Sequence, residues 1–81
     1  MLDQGRAKEA LDLLRESERT QRRVGRLEVL AETLRLQGLA HKALGNMEDA
    51  KRSVLAGLAH AQKTGQFSSV VAAKEVLGKI N

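Results

Sequence analysis

The chain of 81 residues contains no cysteine, proline, tryptophan or tyrosine, and its one aromatic residue is Phe67. Each absence excludes something. Without cysteine there is neither a disulfide framework nor a thiolate metal site. Without proline, no ring removes a helix hydrogen bond from inside. With one aromatic ring, the core must be built from leucine, valine and alanine, which suits closely packed helices. No apolar stretch approaches the ~18 residues that a transmembrane helix needs, and no secretory leader pattern opens the chain. The expectation is a cytoplasmic domain with no membrane contact.

Leucine, alanine, glutamate, lysine, arginine and glutamine dominate instead, and these residues favour helix. Hydrophobic residues make up 42% of the chain, enough for a folded domain rather than a disordered one. The net charge of +4 is mild and the charges are interspersed. That reads as a solvated surface with a weak pull toward acidic partners.

Four helical segments follow from the periodicity. The first covers residues 5–18, with Gly5 marking the turn before it and Ala7, Ala10, Leu11 and Leu14 on one stripe. The second covers 22–44. Leu27, Leu30, Ala31, Leu34, Gly38 and His41 share one face; Val29, Leu36, Ala40 and Ala43 share the opposite face. Its flanks are polar, with Glu28, Glu32, Arg35 and Lys42 on one side and Arg26, Thr33 and Gln37 on the other. A helix apolar on two opposite sides belongs between neighbours. The third covers 47–63, burying Met47, Ala50, Val54, Gly57, Leu58 and Ala61. The fourth covers 66–80, with Phe67, Val70, Ala73, Leu77 and Ile80 on one broad face.

Gly45-Asn46 is the clearest break. Glycine can take the left-handed conformation that ends a helix. Asn46 suits the next N-cap, with Asp49 placed to reach back to it. Gly5-Arg6-Ala7-Lys8-Glu9-Ala10 and Gly45-Asn46-Met47-Glu48-Asp49-Ala50 share a pattern at an offset of 40 residues. That offset corresponds to one helix pair per repeat.

On these residues the chain resembles the tetratricopeptide repeat (TPR) family. Leu34, Gly38, Gly45, Ala50, Val54 and Leu58 stand where the family signature wants a large residue, glycine, turn glycine, alanine, an aromatic and a large apolar residue. Departures are His41 for the usual tyrosine, Val54 for an aromatic, Gly57 for alanine, and no closing proline. The spacing exceeds the ~34 residues of the standard repeat and is similar to the longer TPR-like arrays of bacterial signalling proteins and transcription regulators. The resemblance implies an all-α fold: a right-handed stack of antiparallel helix pairs, an α-solenoid fragment of about four helices. It also implies a scaffold that binds a protein or peptide. The first helix of each pair lines the groove in such arrays, which makes Glu32, Arg35, Leu39 and Lys42 the candidate contacts. Arg35 and Lys42 could hold an acidic peptide through charge-assisted hydrogen bonds.

No catalytic constellation, phosphate loop or metal-ligand spacing is found, so neither an enzyme nor a cofactor is expected. His41, on an apolar stripe, reads as a buried residue with its own hydrogen bond; His60 reads as solvated. Arg15, Arg19, Arg22, Arg23 and Arg26 form the densest charge feature. A continuous helix would align most of them to meet phosphates. Glu16, Glu18 and Glu28 can pair with them locally, and no aromatic interleaves to stack on bases, so nucleic acid is the weaker reading. Self-association is the other alternative. Two helix pairs are few for an array, so the chain reads either as a segment of a longer one or as a unit that completes itself by self-association, and Leu13, Leu36, Val76 and Ile80 are apolar positions that four helices need not cover.

Overall fold

Three glycines twenty residues apart divide the chain. Gly25, Gly45 and Gly65 have φ of 77°, 81° and 70°, a left-handed conformation that costs a residue with a Cβ about 1–2 kcal/mol. Each turn closes with the same backbone bond. The N–H after the glycine donates to a carbonyl five residues back: Arg26 to Gln21 at 2.8 Å, Asn46 to His41 at 2.9 Å, and Gln66 to Ala61 at 2.9 Å. This is the six-to-one bond of the Schellman motif, which satisfies an orphan carbonyl at a helix end.

The computed structural model describes residues 4–80. The helices are α1 (Gln4–Val24), α2 (Leu30–Ala43), α3 (Met47–Thr64) and α4 (Phe67–Ile80), with a 3₁₀ turn at Leu27–Val29 leading into α2. No strand occurs among the described residues. The radius of gyration, 11.9 Å, matches the ~12 Å of a compact chain of this length.

Helix α2 packs against all three other helices, whereas α1 packs chiefly on α2. Alanine outnumbers every other type in the buried core: Ala7, Ala31, Ala40, Ala50, Ala61 and Ala73, beside Leu11, Leu30, Leu34, Val54 and Val76. Small side chains allow close helix approach. A Cβ built on Gly38 would collide with Val54 Cγ2 and stand 3.1 Å from the Ala50 carbonyl oxygen. One built on Gly57 would stand 2.9 Å from the Ala31 carbonyl oxygen and 3.2 Å from Leu34 Cβ. The backbones of α2 and α3 therefore meet where only glycine fits.

Several expectations are corrected. Gly5 lies inside α1 rather than before it, and α1 continues to Val24 instead of stopping at residue 18. Helix α2 begins at Leu30, not at residue 22, because Gly25 and the 3₁₀ turn occupy the interval. Asn46 makes no side-chain cap bond. Its own N–H is already given to His41, which removes the donor that a carboxylate reaching back would accept, and Asp49 lies 3.6 Å from Arg52 instead. Thr33 and Gln37, read as a polar flank, are buried.

Met47 is 47% exposed. Helix α4 is shorter than α3 (14 residues against 18), so the first turn of α3 is left uncovered beside Ile80, the last residue of α4. Phe67 is 79% exposed. The covered face of α4 centres on Ala73 and Val76, roughly half a turn away from Phe67 at ~100° per residue. Val76 is itself buried, so among the four apolar positions left open, Leu13 is the most exposed.

Candidate functional site

Four of the six residues that carry the repeat resemblance meet at one interface. Leu34, Gly38, Ala50 and Val54 are buried between α2 and α3. Leu58 packs against the Val54–Ala73–Val76 cluster from a half-buried position. Gly45 makes the turn that joins the two helices.

The groove candidates are more divided. Glu32 is exposed; Arg35 and Lys42 are half-buried. The Arg35 guanidinium stands 3.9 Å from the Glu32 carboxylate, a loose one-turn pair that holds the two side chains together at little energetic gain. Leu39, between Arg35 and Lys42 on this flank, packs against the cluster formed with α4. The chain's own core thus occupies the apolar middle of the flank, and Glu32, Arg35 and Lys42 remain as its polar rim. Lys42 makes no ion pair among the described residues.

The α1–α2 interface is a polar site that periodicity did not reveal. The Gln37 amide donates to the Leu14 carbonyl at 3.2 Å and to Glu18 Oε1 at 2.9 Å. The Thr33 hydroxyl lies within donating distance of Gln21 Oε1 (3.0 Å) and of the Val29 carbonyl (3.2 Å). Glu18 Oε2 accepts from Arg22 Nε at 2.9 Å. Burial of the Glu18 carboxyl opposes ionisation, but the bonds from Gln37 and Arg22 and the charges of Arg22 and Arg15 outweigh it. Its pKa is held below the ordinary value. The signal in the sequence was weak: two polar residues, Thr33 and Gln37, one helical turn apart.

Neither histidine stands as expected. His41 is buried, but its Nδ1 has no hydrogen-bond partner. Burial lowers its pKa; Asp49 opposes the shift and Arg15 adds to it. His60 is half-buried, with Nε2 lying 2.7 Å from the Leu27 carbonyl oxygen. That contact ties α3 to the turn before α2, across 33 residues of sequence.

The surface carries two further features. Met47, Glu48, Lys51, Arg52, Leu55 and Ile80 line a shallow open depression where α3 outruns α4. Arg15, Arg19 and Arg22 align along α1 around Glu18, since the helix is continuous there. No cluster of three or more histidine or carboxylate side chains suited to a metal occurs among the described residues. No described helix is long and apolar enough to cross a membrane. Comparison with protein-family models, with curated proteins and with solved structures finds no match to this chain.

Proposed function

We propose that this chain is a TPR-like interaction module, part of a larger regulatory protein, in which α2 and α3 form the repeat pair. The observation that carries the reading is the glycine-mediated contact of these two helices. Gly38 of α2 meets Ala50 and Val54 near the start of α3, while Ala31 and Leu34 meet Gly57 further along it. That register supports an antiparallel pair, and the regular glycine turns support continuation of the same handed stack through α1 and α4. In a helical array such pairs are scaffolding, and their exposed flanks do the binding.

On this reading the rim of Glu32, Arg35 and Lys42 receives an acidic segment of a protein partner. Arg35 is the anchor, because a guanidinium holds a carboxylate in two-pronged geometry. The test is titration with a labelled acidic peptide. Arg35→Glu is expected to weaken binding at least tenfold with helicity unchanged by circular dichroism. An unchanged affinity would remove Arg35 from the contact.

A second reading is homo-oligomerisation, favoured by Phe67 and Val71 on α4, which are 79% and 45% exposed. Light scattering on size-exclusion fractions separates the two. A monomer fits the peptide-binding reading, and a dimer that Phe67→Ser dissociates fits the other.

A further inference from the structure

We propose that the arginine face of α1 binds the phosphate backbone of a nucleic acid without regard to base sequence. The proposal goes beyond the scaffold reading and rests on a different surface. Its first support is the continuity of α1 through Val24. Arg15, Arg19 and Arg22 thereby fall at one-turn intervals, about 4.5–6 Å apart along the axis, and Arg23 follows on the flank. Its second support is pairing. Both oxygens of the Glu18 carboxylate are engaged, one by Gln37 and one by Arg22, and Arg26 leans toward Glu28 at 3.5 Å. Arg15, Arg19 and Arg23 have no ion pair among the described residues. Three guanidiniums that make no ion pair among the described residues lie along one helical surface and form a site for a regularly spaced polyanion.

The chemistry selects phosphate over two rivals. An anionic membrane would be held by exposed apolar side chains on the same face. Leu13 and Val24, both exposed, lie on the opposite side of α1 from Arg15 by helical spacing. An acidic peptide presents carboxylates only at intervals its own sequence dictates, whereas a nucleic-acid strand presents phosphate regularly. All five basic side chains from residue 15 to residue 26 are arginine, the fork that matches phosphate oxygens. The region carries no aromatic residue. Base stacking is therefore absent, and the contact is electrostatic.

The test is fluorescence anisotropy of a labelled oligothymidine strand across a range of salt concentrations, on the full chain. Three phosphates neutralised on a single strand give a slope of about −2 in log K against log salt. The double change Arg19→Gln with Arg23→Gln removes two exposed, unpaired charges. It is expected to bring the slope to about −0.7 and to lower the affinity at least tenfold at low salt. Lys51→Gln with Arg52→Gln removes the same charge from α3 and is expected to leave binding within twofold. Circular dichroism confirms that each variant is folded. Absence of binding at low salt would overturn the proposal, as would equal loss in the two double variants. Polyglutamate displacing the strand at equal charge concentration would assign the face to an acidic protein, and phosphatidylserine vesicles doing so would assign it to a membrane; either result also overturns it.

Discussion

The two sides of α2 are held by opposite chemistry. Toward α3 the contact is dry and close. Gly38 and Gly57 bring backbones together, and Val54, 0% exposed, fills the space left by the missing Cβ of Gly38. Toward α1 the contact adds a polar latch to the buried Ala7 and Leu11: Thr33 and Gln37 reach across to Gln21, Glu18 and the Leu14 carbonyl. Close packing tolerates almost no change in volume. A polar latch tolerates volume changes better but fails when a partner is left unsatisfied. The same helix is therefore sensitive to size on one side and to protonation and hydrogen bonding on the other.

Gly38→Ala breaks the dry side and should have the largest effect. The stiff β-branched Val54 cannot step aside, and overpacking costs about 1–3 kcal/mol, net of the ~1 kcal/mol that alanine gains in helix propensity. Urea unfolding followed by circular dichroism reads the loss. Gln37→Ala breaks the polar side. It removes the amide bonds to the Leu14 carbonyl and to Glu18 Oε1, leaving the Glu18 carboxylate to Arg22, and should cost about 1–2 kcal/mol by the same measurement.

Acid should act on two groups in turn. His41 has a folded pKa below its ordinary 6.5, so the unfolded chain takes up the proton first. Its contribution is complete above pH 6.5 and is lost as pH falls below that value toward the folded pKa. Glu18 has a folded pKa below its ordinary 4.5, so its contribution is present above pH 4.5 and is lost at lower pH. His41→Leu should flatten the first decline in a pH series of melting temperatures and leave the second. A decline that persists unchanged in His41→Leu would assign it to another group.

Gly78→Ala sharpens the contrast with Gly38. No atom lies within 4 Å of a Cβ built at Gly78, so the substitution should stabilise by at most ~1 kcal/mol through propensity alone. Phe67→Ser should be smallest, within about 0.5 kcal/mol for an exposed side chain. A larger drop that depends on protein concentration would show Phe67 covered by a second copy.

The dry side was legible in the sequence and the polar side was not. Gly38, Ala50, Val54 and Gly57 stand at helical spacing around the Gly45 stop, and small residues placed so have few uses other than close approach. The boundaries of α3 follow from the same pattern. The end of α1 does not, because its last turns are polar and helical order there depends on Gln37 and Thr33, which are distant in sequence. Glycines at 25, 45 and 65 carry a turn every 20 residues, two of which make the 40-residue offset of a helix pair; Gly5, at the same spacing, sits in a helix instead. Leu39 belonged to a candidate binding flank by position on α2. Its packing into the core depends on where α4 lies, which no local pattern in α2 encodes.

Native-state hydrogen exchange tests the difference between the two sides most directly. Amides flanking Gly38 and Val54 should exchange only through global unfolding, while those from Arg15 to Gln21 should exchange through a smaller opening that releases α1 from α2. Gln37→Ala should enlarge that opening and leave the α2–α3 amides tied to the global transition. Equal protection in α1, α2 and α3, shifted in parallel by Gln37→Ala, would contradict the account.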